Sequence, residues 1–372
     1  MGYRDRLDGP GPRKLLALDG GGIRGVLTLE VLGQIELMLC RELKAGDEFV
    51  LSDYFDYIAG TSTGAIIAAG LARGMRVDEL RELYATHGAE MFDRASLIKR
   101  FKYKYDSTRL EGLLQDIFGA AVTLGDPQLK SLLMMVLRNA TTDSPWPLSN
   151  NPRAKYNEDS RLDSNLRLPL WKLVRASTAA PTFFPAEAVS VGEQDFVFVD
   201  GGLTMYNNPA FQLFLMATME HYKLGWPTGE QQMLVVSVGT GTSPKADDRL
   251  RPGDMNLLFN ASSVPAALMS AALNEQDMLC RTFGRCRHGA SIDNEIGDLR
   301  GEPGLLKERL FTYVRYNVEL TRPGLNQLGL HDVRPEDVQR LDSIAHIGAL
   351  QRVGMRLARD VDRRHFEGFL GE

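Results

Sequence analysis

A chain of 372 residues, 44% apolar and 24% charged, is long enough to bury a substantial core as one large α/β unit or two modest ones, and its composition is that of an ordinary soluble globular protein. The net charge of −5 leaves no basic excess to neutralise phosphates, which argues against a nucleic-acid partner. The three cysteines, Cys40, Cys280 and Cys286, make no short-spaced even framework, so a reducing compartment is expected; Cys280, Cys286 and His288 also lack the spacing and fourth ligand of a zinc site.

Met1 to Arg13 is polar, rich in Gly and Pro, and has no apolar h-region. No later run approaches the roughly 18 apolar residues that span a bilayer. The expectation is a cytoplasmic protein whose contact with membrane, if any, is peripheral. Leu15-Leu16-Ala17-Leu18 suits a short buried parallel strand that stops at Asp19-Gly20-Gly21-Gly22. Val26, Leu29, Leu32, Ile35 and Leu39 then recur at helical spacing, predicting a helix over about 25–43. Tyr57-Ile58-Ala59 reads as a second buried strand, followed by a small-residue helix from Ala65 to Ala72 and another from Asp78 to His87. Basic and aromatic residues alternate over 94–109, a pattern that suits anionic headgroups and a bilayer interface or, equally, a solvated loop whose rings pack on the core.

Further along, 132–137, 196–199 and 233–238 read as core strands, the last two ending at Asp200-Gly201-Gly202 and Gly239-Thr240-Gly241. The polar, Pro- and Asn-rich stretch 141–168 reads as a long loop. Helices are expected over about 170–177, 209–222 and 254–283, and 334–369 reads as helical. Strands alternating with helices predict a mostly parallel sheet covered on both faces.

Three stretches carry chemistry. Gly60-Thr61-Ser62-Thr63-Gly64 lies between a buried strand and a helix, the setting of a nucleophile elbow, where Gly60 and Gly64 let the chain pass close to Ser62. A Ser/Thr-rich helix cap is the plain alternative. Gly20-x-Gly22-x-x-Gly25 also matches a dinucleotide fingerprint, but no strand ending in an acidic residue follows its helix. Read as an oxyanion hole, Gly20, Gly21 and Gly22 offer backbone N–H groups beside a helix N-terminus. Arg24 would contact a substrate phosphate or pin the loop by a salt bridge. None of the six histidines occupies a glycine-flanked strand end, whereas Asp200 does, at the same edge of the sheet as Ser62. A carboxylate at its usual pKa near 4 is a poor base toward serine, so Asp200 requires burial by neighbours such as Phe198 and Phe183-Phe184-Pro185.

These stretches, together with Ala176-Ser177-Thr178-Ala179-Ala180-Pro181, occur in the order found in the patatin-like phospholipase family, and residues 14–213 resemble that family, particularly its bacterial members. The resemblance implies a three-layer α/β/α fold and a catalytic domain over 14–213. Residues 214–372 would continue the α/β core and add a C-terminal helical extension of unassigned role. It further implies a Ser62–Asp200 dyad without histidine, an oxyanion hole at Gly20–Gly22, motif glycines Gly25, Gly60, Gly64, Gly201 and Gly202, a lipid substrate, and no metal or organic cofactor. A soluble esterase or thioesterase with the same dyad, and a phosphate- or nucleotide-binding regulatory protein, are the alternatives.

Overall fold

The computed structural model describes residues 2–92, 107–181, 184–244, 251, 257–302 and 305–371. Its centre is a mixed sheet of nine strands among the described residues. The strands are β1 (Arg13–Leu18), β2 (Tyr57–Thr61), β3 (Leu132–Asn139), β4 (Ser144–Ser149), β5 (Glu187–Val191), β6 (Gln194–Asp200), β7 (Met233–Val238), β8 (Arg285–His288) and β9 (Thr312–Tyr316). β8, β9, β7, β1, β2 and β3 run parallel, in that order across the sheet. β1, β2, β3 and β7 are almost wholly buried, which is why each reads as a near-continuous apolar run.

Helices cover both faces. Gly25–Glu42 packs against Val77–Phe92 and Ile347–Leu357; Thr63–Ala72 lies on β2 and β3; Ala210–Thr218 packs on β1 and β7 and against Leu257–Phe283. The result is an α/β/α arrangement with a mostly parallel central sheet.

Three expectations are corrected. The stretch 141–168 is not all loop, since β4 pairs antiparallel with β3 and carries Pro145 and Pro147 opposite Arg138 and Val136. β4 has no second neighbour among the described residues, and an edge strand tolerates the missing N–H groups. β6 is antiparallel to β3 rather than part of the parallel set, because it returns from β5 through the two-residue turn Gly192-Glu193, with Gly192 at φ +63°. Its burial alternates, Phe196 and Phe198 inward and Val197 outward. The helical reading of 334–369 resolves into short pieces, chiefly Pro335–Gln339 and Ile347–Leu357, joined by 3₁₀ turns.

Candidate active site

Strand register explains how two residues 138 positions apart come to touch. β2 runs along one flank of β3, with Thr61 opposite Val136. β4 occupies the other flank over Met134 to Asn139. β6 therefore shares the flank that β2 uses: it arrives from the opposite direction and ends with Asp200 opposite Leu137, the next residue along β3. The two strands meet head-on. Ser62 leaves β2 at that meeting point, and Asp200 terminates β6 there.

Ser62 turns the chain sharply, with φ 54° and ψ −121°, a conformation that costs an L-residue on the order of 1–3 kcal/mol and is held by its surroundings. A side chain at position 60 would put Cβ 2.0 Å from the Gly64 carbonyl oxygen, and one at position 64 would reach within 2.3 Å of that of Leu18, so both elbow glycines are sterically required. The Ser62 amide donates to Ser177 Oγ at 3.0 Å, and that hydroxyl donates to the Val136 carbonyl at 2.7 Å, fastening the elbow to β3. Ser177 belongs to the Ala176–Pro181 block, yet nothing in its residue type announces this role.

The Ser62 hydroxyl donates to Asp200 Oδ2 at 2.6 Å, and Asp200 Oδ1 accepts from the Gly202 amide at 2.7 Å. Burial pushes the Asp200 carboxyl up to about 6; the hydrogen bonds from Ser62 and Gly202 favour the charged form but only partly offset it. Gly201 fits because a Cβ there would lie 2.1 Å from the Val136 carbonyl oxygen.

The glycine loop sits beside this pair. The Gly20 amide donates to the Asn207 carbonyl at 3.1 Å, whereas the amides of Gly21 and Gly22 have no such partner among the described residues. Gly22 adopts φ +59°, and a Cβ there would meet the Leu341 carbonyl oxygen at 2.3 Å. Gly25 opens the following helix. Arg24 makes no salt bridge among the described residues. Its Nη1 donates to Ser243 Oγ at 3.0 Å and to the Gln339 carbonyl at 3.4 Å, while Nε lies buried without a hydrogen-bond partner. Burial pushes its pKa down to about 10, against the opposing field of Asp19. Asp19, fully buried at the start of the loop, receives two hydrogen bonds from Arg315 on β9, at 2.8 and 2.6 Å. Burial opposes the charge on Arg315, but Asp19 outweighs it and holds the guanidinium above its usual pKa. Thr240 Oγ1 donates to the Gly20 carbonyl at 2.8 Å, bracing the loop from the end of β7.

A cavity of about 570 Å³ opens over Ser62, Asp200 and Gly20–Gly22, with Arg24 in its wall and an apolar lining that includes Phe92, Phe184, Leu203 and Met269. No histidine lines it among the described residues. Residues 94–106, most of the basic and aromatic stretch read as either a membrane-contacting or a solvated segment, and Phe183, expected to help bury Asp200, lie outside the described residues. Among the described residues no group of three or more His, Cys, Asp or Glu side chains could hold a metal ion, and Cys286 Sγ donates to the His288 carbonyl at 3.5 Å.

A family model described as Patatin, patatin-like phospholipase, matches residues 16–214, a little over half the chain. The chain is 32% identical over 254 residues to an intracellular phospholipase A2 of Caenorhabditis elegans, covering 66% of this chain and 21% of that protein. It is 31% identical over 232 residues to a cGAMP-activated phospholipase of Escherichia coli, covering 61% of this chain and 62% of that protein. A third relative, 30% identical over 283 residues and covering 72% of this chain and 70% of its own length, is named probable inactive patatin-like protein 9 of Arabidopsis thaliana. The chain thus spans less than two thirds of the length of either phospholipase.

Proposed function

The chain belongs to the patatin-like phospholipase family, and from that membership we propose that it is a lipid acyl hydrolase, cleaving fatty acyl esters of phospholipids or related lipids through Ser62 and Asp200. One relative is named inactive, so membership alone does not set the activity. The observation that carries the reading is the 2.6 Å hydrogen bond from a strained, glycine-flanked serine to a buried carboxylate, in a cavity whose described wall has no histidine.

Ser62 Oγ attacks the ester carbonyl as Asp200 takes its proton. The oxyanion is met by the Gly21 and Gly22 amides, with the Gly20 amide already bonded to Asn207. Protonated Asp200 then gives its proton to the leaving alkoxide, leaving the fatty acid as an ester on Ser62. A water molecule, deprotonated by Asp200, attacks that ester, and the proton returns to Ser62 Oγ as the acid leaves. Arg24, whose side chain makes no salt bridge among the described residues, lies in the cavity wall and suits a phospholipid phosphate. Short monomeric esters turned over as fast as vesicle lipids would instead favour the soluble-esterase reading.

The test is covalent labelling by a fluorophosphonate. Ser62→Ala abolishes labelling and hydrolysis, whereas His221→Ala keeps both; loss in the histidine variant, or labelling that survives in Ser62→Ala, removes the dyad. A second reading concerns control, because relatives from Escherichia coli and Vibrio cholerae are named cGAMP-activated phospholipases. Hydrolysis that rises on adding cGAMP extends that control to this chain, and an unchanged rate removes it.

A further inference from the structure

Leu257–Phe283 is a long helix whose two sides are unlike those of an ordinary surface helix. Its inner side is set by Ala266 and Met269, which line the catalytic cavity, and then by buried Leu273, Gln276 and Cys280. At 100° per residue, Val264, Ala267, Leu268 and Ala271 fall together on the opposite side, and all four are exposed, Val264 to 46% and Leu268 to 65%. The water-facing side of a surface helix normally carries charge. Here no charged residue occurs from Leu257 through Asn274, and the first is Glu275. Single exposed apolar residues are ordinary on any protein. A charge-free stretch with an apolar stripe facing away from the body, at the mouth of a lipid-sized cavity, is not. The rim continues the pattern, since Leu203 lines the same cavity and is 42% exposed. No helix of the described residues is long and apolar enough to cross a membrane.

We propose that the outer face of this helix, centred on Val264 and Leu268, inserts into the apolar boundary of a lipid surface and sets the cavity mouth against it. The inference rests on the lipid-hydrolase reading for its purpose, but its evidence is the placement of the stripe. Two features select the occupant. From Leu257 through Asn274 the helix has no charge to match an acidic or basic protein partner, and its other side, through Ala266 and Met269, lines the cavity that would take an acyl chain. Docking is therefore through apolar insertion and is indifferent to lipid charge and to salt, unlike docking through a basic segment.

The experiment is sedimentation with phosphatidylcholine vesicles, using Ser62→Ala protein so that the vesicles stay intact whatever the enzyme's chemistry. The expected result is binding that persists in 1 M NaCl (chosen to screen charges within about 3 Å) and falls on the order of tenfold or more in Val264→Asp/Leu268→Asp. The milder Val264→Ser/Leu268→Ser pair, folded by circular dichroism, loses binding in the same direction. With Ser62 intact, both pairs hydrolyse a short monomeric ester at the wild-type rate and vesicle lipid at a reduced one. Binding unchanged in both pairs, or binding released by salt, overturns the proposal. So does a wild-type oligomer that the substitutions split into monomers, which would assign the face to a second copy of the chain. Sedimentation in the Ser62→Ala background reports the docking face even if no lipid is ever cleaved, so failure of the hydrolase reading is read separately.

Discussion

Burial sets Asp200 against its own ionisation, and the same burial would make it a usable base. With the carboxyl at about 6 in the fold, the rate of ester cleavage is expected to rise with pH through about 6 as the base form appears. A profile flat from pH 5 to 8 would remove Asp200 from the chemistry. Stability moves the other way. A carboxyl whose folded pKa is raised stabilises the fold in its protonated form. That contribution is complete below about pH 4 and is lost as pH rises through about 6. Asp200→Asn, which never ionises, is therefore expected to be inactive yet more stable than the wild type at pH 8, by up to about 3 kcal/mol in urea titrations, with the advantage gone at pH 4. At this scale the sequence was most legible where a residue's neighbours in the chain define its role. Ser62 lies between Gly60 and Gly64, and Asp200 precedes two glycines. Arg315 was not legible, because its partner Asp19 is 296 positions away and only the parallel pairing of β9 with β7, beside β1, brings them together.

Between elements, the site depends on how β2 and β6 share one flank of β3. Apolar runs announced β1, β2, β3 and β7, since strands buried on both faces leave no polar alternation to confuse them. β4 and β6 were misread for opposite reasons: Pro145 and Pro147 are turn signals that an edge strand tolerates, while the outward Val197 disguised an alternating strand as a fully buried one. Ser177 is the piece that locks the head-on junction, its hydroxyl bridging the Ser62 amide and the Val136 carbonyl. Ser177→Ala leaves both backbone groups buried without that partner, at a cost of about 1–3 kcal/mol. The loosened elbow is expected to lower kcat on the order of tenfold with KM little changed. Wild-type kcat in that variant would mean that the turn is held by its glycines and β2 alone.

The whole molecule does not divide where the family match ends. β1 pairs with β2 on one side and with β7 on the other, so a unit ending near residue 214 would leave the entire flank of β1 from Arg13 to Leu18 unpaired at the centre of the sheet. Arg315, which compensates the buried charge of Asp19, also comes from beyond that point, as does Leu341, whose carbonyl accepts from the Ile23 amide beside the glycine loop. Removing Arg315 alone would strand a buried carboxylate, a loss of about 3–5 kcal/mol. Residues 214–372 therefore complete the half that the family match covers instead of appending to it, and the two halves are expected to unfold together. Hydrogen exchange gives the direct measurement: amides of β1 and of β9 should share one protection level and lose it at the same urea concentration. If β9 opens well before β1, the C-terminal half is a separable unit, and the glycine loop is then held by contacts within residues 14–213 alone.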